Sequence, residues 1–200
     1  MNIFVSAIIL AAGESRRMGM PKLLLPFGDA TMIECTVRNV LSSAVREVIL
    51  VTGSEAERIE SLFKRGPVLV VHNSGYAGGM ATSIITGMSA ASPESQAVLI
   101  MPGDQPTVTG ATIGAVLSAF EESGKGIAVP VYNGRTGHPA VFSLKYREQI
   151  VASVDRGVRS LIYDNPQDLL KVPVDVPDVV MDIDTSEDYR RAGGCRSVRI

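Results

Sequence analysis

Apolar residues in this chain come in short dense runs separated by longer stretches in which they recur every three or four positions. The first run, Phe4-Val5-Ser6-Ala7-Ile8-Ile9-Leu10, predicts a central parallel strand buried on both faces. Ile33, Val37, Val40, Leu41 and Ala44 then mark a helix, and Glu47 to Thr52 a second strand. Ser54-Glu55-Ala56-Glu57 has the pattern of a capping box opening a helix through about Lys64, and Val68 to His72 is a third strand. Met80, Ile84 and Met88 share a helical face; Ala97 to Met101 reads as a strand, Ile113, Val116, Leu117 and Phe120 as a helix, and Gly126 to Val131 as a strand. This alternation predicts an α/β fold, three layers around a mostly parallel sheet. The rhythm breaks after Pro130, where Tyr132-Asn133-Gly134-Arg135-Thr136-Gly137-His138-Pro139 leaves no room for a crossover helix, so the sheet should be mixed. Helices near Leu144 to Ser153 and Val158 to Asp164, strands near Leu169 to Val174 and Val179 to Ile183, and a helix from Ser186 complete the expected order.

Two hundred residues, 46% of them hydrophobic and 20% charged, suffice for one domain with a full core. The expected domain is 1–192, with 193–200 a loose tail. A net charge of −2 gives no global attraction to nucleic acid or to an anionic membrane, so any cationic site must be local. Neither a leader pattern nor an apolar run of spanning length is visible, and Cys35 and Cys195 read as unrelated thiols of a reducing compartment, so a cytoplasmic protein is expected.

The run that starts the chain breaks into Leu10-Ala11-Ala12-Gly13-Glu14-Ser15-Arg16-Arg17-Met18-Gly19-Met20-Pro21-Lys22. Ligands of parallel sheets sit beyond the carboxyl ends of the strands, and this loop begins there. Its small residues let a base or phosphate approach the backbone, while Arg16, Arg17 and Lys22 carry charge against a polyphosphate. A solvated strand-to-helix loop is the plainer alternative. The loop lacks the spacing of the dinucleotide G-x-G-x-x-G and of the phosphate-binding G-x-x-x-x-G-K-[S/T].

Met101-Pro102-Gly103-Asp104-Gln105-Pro106 places a carboxylate after the fourth strand, where it can hold Mg²⁺ or merely serve a turn. Asp182-Ile183-Asp184 puts two carboxylates on one face of an extended segment, so both or only one could reach a cation. Thr185 or Ser186 caps the following helix. Asn73 to Gly79, leading into Met80-Ala81-Thr82-Ser83, is a glycine-rich turn opening a small-residue helix, a weak anion signal by itself. Met80 and Met88 read first as core, and His72 as packing. His138 stands alone before a proline, without the partners of a zinc site, and no G-x-S-x-G elbow supports a serine hydrolase.

Taken in order, Leu10-Ala11-Ala12-Gly13-x-Ser15-x-Arg17-Met18-Gly19-x-x-Lys22, Gly79-Met80-x-x-Ser83, Gly103-Asp104-Gln105-Pro106, Gly137-His138-Pro139 and Asp182-Ile183-Asp184-Thr185-x-Glu187-Asp188 resemble the molybdenum cofactor nucleotidyltransferases, most of all their cytidylyltransferase branch. The resemblance runs from Ile8 to about Ala192. It implies a nucleotide-diphospho-sugar transferase type of three-layer Rossmann-like fold with a mixed, mostly parallel sheet, and a Mg²⁺-dependent reaction in which the phosphate of a molybdenum-bearing pterin attacks the α-phosphorus of a nucleoside triphosphate, forming a dinucleotide and expelling pyrophosphate. It further implies catalytic roles for Arg17, Lys22 and Asp104, and metal binding by Asp104 with Asp184. Nucleotide contacts would come from Leu10, Ala11, Ala12, Gly13, Ser15, Arg17, Lys22, Asn73, Gly79, Met80 and Ser83, and acceptor contacts from His138. Leu-Ala-Ala-Gly in place of the guanylyl branch's Leu-Ala-Gly-Gly favours CTP over GTP, and a molybdenum hydroxylase apoenzyme is a further implied partner. Ser186 stands where relatives have proline, and serine can also open a helix. Two other readings remain open: a nicotinamide-dependent oxidoreductase on the same fold, and a non-catalytic factor that hands the pterin on.

Overall fold

A computed structural model describes residues 3–153 and 156–193. An eight-stranded sheet runs in the order β10-β7-β9-β6-β1-β4-β5, with β8 paired to β7. Its strands are β1 (Val5–Ala11), β4 (Glu47–Thr52), β5 (Val68–His72), β6 (Ala97–Pro102), β7 (Ile127–Tyr132), β8 (Arg135–Thr136), β9 (Ala140–Ser143) and β10 (Leu169–Pro173). A small hairpin, β2 (Pro26–Phe27) and β3 (Ala30–Thr31), stands apart. Strands β5, β4, β1 and β6 are mutually parallel; β9 is antiparallel to both β6 and β7, and this is the break foreseen after Pro130.

The alternation of side chains along β1 divides the interior into two cores. Val5, Ala7, Ile9 and Ala11 face one core, with the buried residues of α1 (Met32–Leu41), α2 (Ala56–Leu62), α4 (Gly110–Ser123) and α7 (Ser186–Arg191). Ile8 faces the other, with α3 (Met80–Ala90), α5 (Arg147–Ala152) and α6 (Arg159–Asp164). Because both faces are covered, the central strands are nearly uninterrupted in apolar residues, and that is why their positions could be read from composition alone.

The helix starts show where local patterns succeeded. Thr31 and Glu34 form a reciprocal capping box on α1, and Thr185 and Asp188 do the same on α7. The box expected at Ser54 does not form: α2 starts after Glu55 with no side-chain cap, and the Ser54 hydroxyl instead donates to the Gly13 carbonyl at 3.0 Å. A long-range bond to the first loop has displaced the local one. The strand expected over Val179 to Ile183 is also absent. Pro177–Val180 is a 3₁₀ turn, and the carbonyls of Val179 and Ile183 accept from the His138 amide and the Lys22 ammonium rather than from a ladder. His72 is exposed at the end of the edge strand β5 rather than packed. The tail expected at 193–200 lies outside the described residues except for Gly193, and Cys195 lies outside them too.

Candidate functional site

Two loops meet at the carboxyl edge of the sheet because β1 and β6 are neighbours in parallel register, Leu10 opposite Pro102. The loop after β6 is tied to β1 by the Gly103 amide, which donates to the Leu10 carbonyl at 2.9 Å, and to α1 by the Thr36 hydroxyl, which donates to the Gly103 carbonyl at 2.9 Å. A Cβ on Gly103 would lie 2.9 Å from the Leu10 carbonyl oxygen, so a glycine is required for this approach. Asp104 is thereby carried to the edge that the first loop overhangs. That loop is folded on itself: Ser15, at φ 51°, accepts from the amides of Met18 and Gly19 at its carbonyl and from the Lys22 amide at its hydroxyl.

Lys22 is the hub. Its ammonium donates to Asp104 Oδ2 at 2.5 Å, to Asp184 Oδ1 at 3.0 Å and to the Ile183 carbonyl at 3.0 Å, which engages all three of its N–H bonds. Burial alone would pull its pKa down, but Asp104 and Asp184 outweigh burial and hold it above the ordinary lysine value. Asp184 is likewise pushed up by burial and drawn down further by Lys22 and Arg17, so its carboxyl titrates below the usual range. Arg17 pairs with the other oxygen of Asp184. The second oxygen of Asp104, Oδ1, is buried with no hydrogen-bond partner among the described residues.

Around these charges lie two contiguous clefts. The first, about 540 Å³, runs from the small-residue loop at Ala12 and Gly13 to Tyr76, Gly79, Met80 and Ser83. A second, about 430 Å³, continues past Asp104 and Asp184 toward His138, Asp182, Arg159 and the apolar side chains of Ile84, Ile100 and Phe142. Volumes of this size suit small organic ligands. Leu10, Arg17, Met80, Pro102, Asp104 and Asp184 border both clefts.

The structure thus brings Leu10, Ala12, Gly13, Ser15, Arg17, Lys22, Gly79, Met80, Ser83, Asp104, Asp184 and His138 to one continuous depression. Two expected contact residues are elsewhere. Ala11 points into the core opposite the cleft, as alternation along β1 demands. Asn73 is buried behind the cleft wall, where its amide group donates to the hydroxyls of Thr82 at 2.9 Å and Ser83 at 3.0 Å and its oxygen accepts from the Gly75 amide at 2.9 Å. It shapes the turn that presents Gly79 and Ser83. Met80 corrects the reading as core in the opposite sense: it is 63% exposed at the start of α3, whereas Met88 is buried. Helical spacing identifies a shared face, but the first turn of α3 overhangs the cleft.

Asp182 and Asp184 do not share a strand face. Asp184 binds the Lys22 and Arg17 cations, while Asp182 accepts from the Gln105 side-chain amide at 2.8 Å in the second cleft. Arg159, at the first turn of α6, Tyr76, in a 3₁₀ turn, and Pro102, at the end of β6, were missed as site residues in the sequence, because a lone arginine, tyrosine or proline carries no spacing signal. For a hard divalent cation the donor set fits: two carboxylates converge on one point, and one carboxylate oxygen is buried and unpartnered. Three or more metal-ligating side chains do not cluster anywhere among the described residues, so any such ion would take its remaining oxygens from a ligand or water.

The likeness to known proteins covers most of the chain. Residues 7–179 match the family described as MobA-like NTP transferase domain. The chain belongs to that family. It is 29% identical to the molybdenum cofactor cytidylyltransferase of Escherichia coli (strain K12), over 92% of this chain and 93% of that one. It is also 28% identical to nicotine blue oxidoreductase of Paenarthrobacter nicotinovorans, over 94% of this chain and 95% of that one. Among solved structures, a Mycobacterium tuberculosis H37Rv protein in complex with manganese superposes with a TM-score of 0.78 at 27% identity, covering 96% of this chain and 99% of that one. The mixed, mostly parallel sheet is therefore that of a nucleotidyltransferase, and members of this family typically act with a divalent metal. Among the described residues, no helix is long and apolar enough to cross a membrane.

Proposed function

We propose that this nucleotidyltransferase moves CMP from CTP to the phosphate of a molybdenum-bearing pterin, releasing pyrophosphate, with Mg²⁺ as its metal. The observation that carries the proposal is the convergence of Lys22, Asp104 and Asp184 between two clefts, one floored by small residues and one lined by apolar side chains. The first cleft would take the nucleotide, its base and ribose against Ala12, Gly13 and the Gly79–Ser83 turn. The second would take the acceptor beside His138. Asp104 and Asp184 would hold the metal, which when bound neutralises phosphate oxygens and orients them for in-line displacement.

The protein's own residues would then act mainly by charge. Lys22 and Arg17 would face the triphosphate and stabilise the negative charge that grows on the departing pyrophosphate. The acceptor phosphate is already anionic, so no side chain has to remove a proton from it. Lys22 is kept cationic through the neutral range by the same carboxylates that hold it in place. A cytidine preference follows from Ala12 in the loop against which the base would lie. A molybdenum hydroxylase apoenzyme would receive the product.

The deciding assay measures pyrophosphate release with each of the four common nucleoside triphosphates, with and without the molybdenum pterin. Release that requires the pterin and is fastest with CTP is the expected result; faster release with GTP would overturn the base assignment, and none with any triphosphate would overturn transfer itself. A second reading, a nicotinamide-dependent oxidoreductase, is favoured by the full-length likeness to nicotine blue oxidoreductase. It is opposed by the lack of a G-x-G-x-x-G turn after β1. Following nicotinamide oxidation in the same reactions separates the two.

A further inference from the structure

The two arginines bordering the second cleft differ in what holds them. Arg17 is committed to Asp184, whereas Arg159 makes no ion pair among the described residues. The carboxylates nearby do not satisfy it either. Asp104 and Asp184 are engaged by Lys22, and Asp182 is engaged through Oδ1 by Gln105. Arg159 is nonetheless well placed, because Leu161 and Ile162 beside it on α6 are buried in the second core and fix the backbone that carries it. A guanidinium offers a rigid fork of donors suited to two oxygens of a phosphate.

Arg159 is exposed at the mouth of the cleft, whereas a buried unsatisfied group lies inside it. His138 Nδ1 is buried with no hydrogen-bond partner among the described residues. Burial, reinforced by the charge of Arg159 and opposed by Asp182 and Asp104, keeps the imidazole neutral; the ring donates to the Ile100 backbone, and with Nδ1 unpartnered that donor is the other nitrogen, which leaves Nδ1 as a hydrogen-bond acceptor. Ile84, Ile100, Phe142 and Ile162 supply apolar surface in the same cleft. A ligand complementary to this cleft offers apolar surface, a hydrogen-bond donor for His138 Nδ1 and an anion for Arg159.

We propose that Arg159 grips the phosphate of the second substrate while His138 Nδ1 accepts a hydrogen bond from the edge of that substrate's heteroaromatic ring. This deepens the nucleotidyl-transfer reading and rests on it for the order of the two clefts. Arg159 is then a specificity residue for the acceptor, selecting phosphorylated over unphosphorylated rings, and the nucleotide does not touch it.

The test uses the natural fluorescence of 6-hydroxymethylpterin phosphate and of its unphosphorylated parent, each titrated with the full chain, Arg159→Ala, Arg159→Lys and His138→Phe, with CTP affinity measured in parallel. The parent protein should prefer the phosphorylated pterin about tenfold or more, a charge-assisted hydrogen-bond effect. Arg159→Ala should abolish that preference, Arg159→Lys should restore part of it, and CTP binding should be unchanged in both. His138→Phe should weaken both pterins alike and leave the preference intact. An Arg159→Ala protein that keeps its preference, or loses CTP affinity in step, overturns the assignment. Failure of the parent protein to bind either pterin also overturns it, while pyrophosphate release with some other acceptor would leave nucleotidyl transfer standing. Conversely, pterin selection as expected without any pyrophosphate release would sink the transfer reading and leave Arg159 as an anion receptor.

Discussion

The two clefts share a wall and differ in how their charges are settled. In the first, cations and anions answer one another within the protein: Lys22 engages Asp104, Asp184 and the Ile183 carbonyl, and Arg17 closes on Asp184. In the second, Arg159 has no ion pair and a ring nitrogen of His138 is buried without a hydrogen-bond partner among the described residues. The difference teaches what each side requires. Carboxylates destined for a cation repel one another, and an internal ammonium keeps them together at little reorganisation cost. A pocket that discriminates among organic ligands gains most from groups that only the right ligand satisfies.

The sharpest way to break this comparison is Asp104→Asn, which preserves shape but removes a charge that both Lys22 and a hard cation use. Loss of metal-assisted stabilisation should lower pyrophosphate release by roughly 10³-fold while circular dichroism shows the fold intact. A rate matching the parent at saturating Mg²⁺ would reduce Asp104 to a turn residue.

Lys22→Ala should slow release by on the order of 10²-fold, the usual consequence of losing one preorganised electrostatic group. It should also lower the Tm, because Asp104 and Asp184 are left facing each other, and added Mn²⁺ should recover more of that loss than it adds to the parent. An unchanged kcat/KM together with an unchanged Tm would show that the cluster is not coupled.

Gly137→Ala probes the second cleft from behind. A Cβ there would collide with the Val179 carbonyl, the acceptor of the His138 amide at 2.8 Å. The turn must shift, with a stability cost of about 1–3 kcal/mol by denaturant titration. KM for the acceptor should rise several-fold while KM for the nucleotide holds; an equal change in both would mean that the clefts do not act separately.

The smallest effect lies far from either cleft and serves as a control. Asp168 is held to a pKa of about 2 by Lys145, with help from the Tyr146 hydroxyl at 2.7 Å and the Gly126 amide at 3.0 Å. Its folded pKa lies below the unfolded one near 3.8, so the stabilisation is complete above about pH 4 and is lost as pH falls toward 2. Asp168→Asn should cost about 1 kcal/mol at pH 7, after allowance for solvent screening, and the gap from the parent should close in acid. Activity at pH 7 should not change.

Reading along the chain found the elements wherever one period governed the outcome. The strands β1, β4 and β6 are buried on both faces, so their apolar runs determine them, and the cap at Thr185 is contained within four residues; the equally local cap at Thr31 was not read. Asp104 was legible as candidate chemistry because it follows a strand at the ligand edge of a parallel sheet, whereas Lys22 and Asp184 stood out as charges in motifs whose meeting only the fold shows. Where two local options competed, the tertiary structure chose. Ser54 gave up its cap for the Gly13 carbonyl, and residues 179–183 gave up a strand because their carbonyls serve His138 and Lys22. Which of Asp182 and Asp184 meets the lysine, why Met80 stands in the open, and that Arg159 comes to lie beside His138 depend on bringing together segments far apart in sequence. Local patterns report which face of an element is buried, and only the assembled sheet decides what that face meets.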